Sequence, residues 1–83
     1  MNAVTHTRSF CMPDGKPLFS VNAGVDVSDA LEQASILLSC LTRLSMIDRP
    51  KEDERNTIQY LLEITSALVE ASLAGLAETE KAA

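Results

Sequence analysis

Two stretches of this chain, Ser28–Ile47 and Lys51–Glu78, repeat apolar residues at helical spacing around more of their circumference than one partner helix covers. In the first, Ala30, Leu31, Ala34, Leu37, Leu38, Leu41 and Leu44 follow the i, i+3, i+4, i+7 pattern. Ile36, Cys40 and Ile47 extend that stripe. At about 100° per residue the apolar arc reaches roughly 220°, where a surface helix needs a little over about 100°. Glu32, Ser35, Ser39, Thr42 and Arg43 gather on the narrow polar side. In the second, Ile58, Leu61, Leu62, Thr65, Leu68, Val69, Ser72 and Leu76 hold the repeat. Ile64 and Leu73 widen it to roughly 180°, opposite Gln59, Glu63, Ser66 and Glu70.

The helix boundaries have local causes. Ser28 is a good N-cap and Asp26 its competitor; Asp29 and Glu32 then suit the positive end of the helix dipole. Pro50 disfavours helix at Arg49 and suits the first turn of a new one, where Glu52, Asp53 and Glu54 follow. Gly75 weakens the last turns, so the second helix is expected to fray after Ala74 and to end in a polar tail over 80–83.

Ahead of the helices, Ser9–Met12 and Leu18–Val21 flank Pro13-Asp14-Gly15, a strong turn signal. A short β-hairpin over 9–21 is expected, laid on the helices or on another subunit's strands because two strands alone are marginal in water. Residues 1–8 read as a mobile polar lead-in. The fold class is therefore mainly α. It is one domain over 9–79, an antiparallel helical hairpin (28–47 and 51–78) carrying the small β-hairpin.

Such a hairpin covers one flank of each helix. A chain of 83 residues seldom has stability to spare, so large exposed apolar flanks point to a partner. The simplest cover is a second copy, giving a four-helix bundle by two-fold symmetry. The residues expected in that interface are Ile36, Leu37, Cys40, Leu41, Leu44, Ile47, Leu61, Ile64, Leu68 and Leu73. Ile36, Cys40, Ile47, Ile64 and Leu73 are the excess; if no second chain covers them, the N-terminal strands should.

No constellation for catalysis, metal or cofactor binding is legible. His6 is the single histidine and has no partner at catalytic or metal-ligand spacing with Cys11 or Cys40. The acidic run Glu52–Glu54 lacks the Glu-x-x-His motif of di-metal bundles. Pro13–Lys16 lacks the phosphate-loop spacing, and Val25–Asp29 has too few ligands for a calcium loop. A net charge of −5 without a basic patch argues against nucleic acid. The second helix begins acidic, unlike a DNA-recognition helix. No uninterrupted apolar run approaches the roughly 20 residues of a membrane span, and the first residues lack the apolar core of a secretion signal. A cytoplasmic protein with both thiols reduced is expected.

Leu18-Phe19-Ser20-Val21, Gly24-Val25, Ala30-Leu31-Glu32-Gln33-Ala34-Ser35 and Leu37-Leu38-Ser39-Cys40 together resemble a family of small uncharacterised proteins of pseudomonads and related bacteria. The resemblance spans roughly Phe10 to Leu76. It implies a stand-alone bacterial protein with a strand-bearing N-terminus and two helices, and it carries no activity or site residue. A non-enzymatic homodimer acting through protein contacts, as a regulator or adaptor, is the expected function. The alternative is a binding module whose apolar groove takes a partner helix or a small apolar ligand.

Overall fold

The computed structural model describes residues 2–82. Strand β1 (Arg8–Phe10), a 3-10 turn (Pro13–Gly15), strand β2 (Phe19–Val21), helix α1 (Val27–Leu44) and helix α2 (Glu52–Ala82) follow in order. The strands pair antiparallel, with Arg8 opposite Val21 and Phe10 opposite Phe19. The two Phe rings meet at 5.7 Å between centroids, a cross-strand aromatic contact that helps fix the register. The Pro-Asp-Gly turn forms as expected: Gly15 N–H donates to the Met12 carbonyl and Lys16 N–H to the Pro13 carbonyl.

Helix α1 begins one residue before the expected start, with Asp26 rather than Ser28 at the N-cap. The Asp26 backbone carbonyl accepts from both Asp29 and Ala30 N–H. It ends at Leu44, so Ile47 lies in the connection. Helix α2 opens with half a capping box: the Glu54 carboxylate accepts from Lys51 N–H at 2.9 Å. It neither frays after Ala74 nor leaves a tail from residue 80, because it continues through Gly75 to Ala82. Ala83, expected in that tail, lies outside the described residues.

The expected mobile lead-in is corrected for residues 3–8. Val4 bridges to Asp26, Val27 N–H donates to the Ala3 carbonyl, and His6 N–H donates to the Ala71 carbonyl of α2. At the centre of this thread Thr5 is fully buried. Its backbone N–H donates to the Val25 carbonyl and its carbonyl accepts from Gly24 N–H. Its Oγ1 donates to the Asn22 carbonyl at 2.7 Å and accepts from Val25 N–H at 3.1 Å. A polar residue near the start of a chain looks dispensable in one dimension; here its buried side chain ties together the exposed turn 22–25. Met1 lies outside the described residues. Thr5→Val keeps the volume and removes the part-buried hydrogen bonds to the Asn22 carbonyl and the Val25 N–H. Its expected cost is about 2–4 kcal/mol of unfolding free energy, read by urea denaturation; a loss below about 0.5 kcal/mol would contradict this role for the hydroxyl.

Helices α1 and α2 pack against each other, and the β-hairpin packs along α2. The elements lie abreast, giving a plate of 49 × 30 × 14 Å. The buried apolar residues among those described are Val27, Ala30, Ala34, Leu41, Ala67 and Ala71. Four of the six are alanines, which let backbones approach closely but contribute little transfer free energy. The buried hydroxyls of Thr65 and Ser72 return to the Leu61 and Leu68 carbonyls, each at 2.7 Å. Among the described residues no buried side-chain N or O lacks a partner.

Candidate interaction surface

The hairpin does not cover the apolar excess. Strand β1 runs beside the polar side of α2, where Arg8, Phe10 and Cys11 border an open depression of about 420 Å³ with Gln59, Glu63, Ala67 and Glu70. Arg8 and Glu70 form an exposed ion pair at 2.6 Å, a contact of the kind that contributes at most about 1 kcal/mol. No histidine lines this depression, and its thiol, Cys11, is free. Among the described residues no group of three or more His, Cys, Asp and Glu is placed to hold a metal ion. His6 is exposed, tied to α2 only through its backbone N–H.

Next to this depression, and sharing Leu62, Ser66 and Glu70 with it, an apolar face stays open. Leu31 and Leu76 border one shallow depression, about 500 Å³, at the N-terminal end of α1. Leu38, Leu62 and Val69 border the next, about 320 Å³, with Thr65, Ser66 and Glu70. Leu73 projects between Val69 and Leu76 by helical spacing and is 58% exposed. On α2 the series Leu62, Ser66, Val69, Leu73, Leu76 alternates steps of four and three residues. That is the heptad spacing of a helix seam, turned outward. On α1, Leu31, Ser35, Leu38, Thr42 and Ser45 repeat the same steps. No charged residue interrupts either series between its ends.

The ten residues expected in an interface divide three ways. Leu41 is buried in the chain's own core, and Leu37, Leu44, Ile47, Leu61, Ile64 and Leu68 are half-buried. Ile36, Cys40 and Leu73 are exposed. Ile36 and Leu38, 50% and 51% exposed, sit about 200° apart around α1, so they cannot belong to one flat surface. Leu31, Leu38, Leu62, Val69 and Leu76 border the open face and are not among the ten, because a helical wheel shows an arc without showing which part of it the neighbouring helix takes. The signal that finds them was present: the seven-residue steps from Leu31 to Leu38 and from Leu62 through Val69 to Leu76.

By length and composition alone α2 is also apolar enough to cross a membrane: Glu52–Lys81 contains an 18-residue window of mean hydropathy 1.3. The count of uninterrupted apolar residues overlooked it, because Glu63 and Glu70 punctuate the run.

Residues 4–75 match a family described as "Protein of unknown function (DUF3077)". No curated protein and no solved structure matches the chain.

Proposed function

We propose that this chain, which belongs to the DUF3077 family of proteins of unknown function, is a non-enzymatic homodimer that works through protein contacts, as a regulator or adaptor. Two plates meet by their open apolar faces and complete a four-helix bundle. The observation that carries this is the amount of surface left over. The chain exposes 6072 Å², about 1,200 Å² more than a compact monomer of its mass. Its radius of gyration is 14.6 Å, against about 12 Å for a compact chain of this length. An ordinary protein interface removes about 800 Å² from each partner, which the excess accommodates.

The thin core supports the same reading. Val27 and Leu41 are the large apolar side chains buried among the described residues, too few to hold an 83-residue domain by themselves. Folding and association are then one equilibrium. Raising the protein concentration tenfold is expected to raise the thermal midpoint by about 4 °C, measured by circular dichroism alongside sedimentation equilibrium. A folded monomer at micromolar concentration, with a midpoint independent of concentration, would sink the proposal.

Charge supports a soluble assembly over a membrane surface. A chain of net −5 is repelled by anionic headgroups, and its apolar face has no flanking basic rim. As a span, α2 would carry Glu63, Glu70 and the hairpin packed along it into lipid. We therefore read α2 as a packing helix of a cytoplasmic protein that binds neither nucleic acid nor cofactor. The depression beside Leu31 and Leu76 supports the second reading, a groove for a partner helix or a small apolar ligand. A lipid or peptide co-purifying with the native protein in mass spectrometry would favour that reading.

A further inference from the structure

The dimer reading leaves open how the two faces meet; the inference here rests on that reading. We infer that a second copy of this chain docks with α2 antiparallel to its counterpart and α1 antiparallel to its counterpart. The two-fold axis lies in the interface, across the helices, at the level of Leu38 and Val69.

Three observations on the open face lead there. First, the face is built in rungs. Leu31 shares a depression with Leu76, and Leu38 shares one with Val69. The next seven-residue step pairs Ser45 with Leu62 on antiparallel helices. Leu38 with Val69 is the middle rung, and a closed two-fold contact places the middle of a self-complementary patch at its axis.

Second, the leucine and valine side chains of the rungs carry no charge, and the acids at their edges are engaged: Glu70 beside the Leu38–Val69 depression pairs with Arg8, and Asp26 beside the Leu31–Leu76 depression is the N-cap of α1. An acidic chain that binds itself must do so through an uncharged patch, because like charges brought face to face oppose association. A foreign partner for a chain of −5 would find its complementary charges elsewhere. The heptad spacing on both helices fits near-parallel packing at about 20° rather than a steep crossing.

Third, the charges at the two ends of the α2 seam have opposite sign. Arg55 and Glu80 lie on the same stripe as Leu62, Val69 and Leu73, Arg55 before it and Glu80 after it. With α2 antiparallel to its copy about Val69, Arg55 falls three residues from the position facing Glu80 of the second copy. That is about 4.5 Å along the axis, within an arginine's reach. This happens twice, once at each end. The other two-fold arrangement, with the axis along the helices, stacks α2 on α1 of the copy. It takes Arg55 past the end of α1, toward the connection that carries Asp48, and away from Glu80.

Cysteine pairing decides between them. Val69→Cys and, separately, Leu38→Cys are introduced into the full chain and mildly oxidised. Covalent dimers are read on non-reducing gels, and the joined peptides are identified by mass spectrometry so that pairs through Cys11 or Cys40 are recognised. Each variant is expected to shift from monomer to dimer mass through its own new cysteine. Leu76→Cys alone is expected to stay at monomer mass and to cross-link only when mixed with Leu62→Cys. A dimer in sedimentation in which Val69→Cys pairs only with Leu38→Cys would overturn the arrangement and leave the dimer standing. A monomer in sedimentation, with no new-cysteine pair in any variant, would overturn both.

Discussion

Leu38→Glu is expected to abolish the proposed dimer and with it most of the fold, while Ile36→Glu leaves both intact. The two residues are near neighbours in α1 and equally exposed in the single chain, 50% and 51%. By composition, propensity or exposure they are interchangeable. They differ in direction: Leu38 points into the open face with Leu62 and Val69, and Ile36 points away from it. In the proposed dimer each leucine so buried would contribute about 1.5–3 kcal/mol, and two-fold symmetry removes it twice. A carboxylate forced into the same place is desolvated against its own copy, which costs several kcal/mol more. Since a small domain has about 5 kcal/mol to lose, unfolding should accompany dissociation. Sedimentation velocity with circular dichroism at the same concentration reads both. Equal loss in the two variants would place the interface elsewhere, and no loss in either would remove it.

Gly75→Ala is the second large effect, and its sign is the test. In an exposed helix this change stabilises by about 1 kcal/mol, because alanine is the better helix former. Here a Cβ on residue 75 would stand 1.8 Å from the Val4 carbonyl oxygen and 2.8 Å from its carbonyl carbon. The obstacle is backbone, held by the Val4 bridge to Asp26 and by the Thr5 hydrogen bonds on the next residue. It cannot swing aside as a side chain would. Either the N-terminal strand lifts off α2, giving up the His6–Ala71 hydrogen bond and the Thr5 cluster, or α2 bends. We expect a loss of about 3 kcal/mol or more, from clash and lost hydrogen bonds together. Urea denaturation measures it, and faster amide exchange at Thr5 and Val25 would locate it. A rise in stability would mean that the strand does not cross the helix there. The lead-in and Gly75 explain each other: the one tolerates no side chain because the other passes over it.

Much of the architecture was legible. The two helices, the antiparallel hairpin and the Pro13-Asp14-Gly15 turn follow from periodicity and from residues whose backbone preferences are local. What failed shares a cause. Gly75 read as a weak point in a helix, Thr5 as a stray polar residue, and Ile36 as part of the same surface as Leu37. Each depends on a neighbour remote in sequence: Val4 over Gly75, Asn22 and Val25 around Thr5, and α2 against one flank of α1. The hairpin was expected to cover the apolar excess only if no second chain did; it lies beside Glu63 and Glu70, where Arg8 finds a counter-charge.

By itself the sequence determined which segments are helical, roughly where they stop, and that they carry more apolar surface than a two-helix hairpin buries. Those are properties of repeat and composition, which local physics sums along one dimension. Only the tertiary structure decided which side of each helix remains open, because that depends on where the N-terminal strand and the hairpin come to rest. The strand lies where small residues let it approach, and the hairpin lies where polar residues can pair. What is left is an apolar strip from Leu31 and Leu76 to Leu62, edged by Asp26 and Glu70, which neither the N-terminal segment nor the hairpin covers.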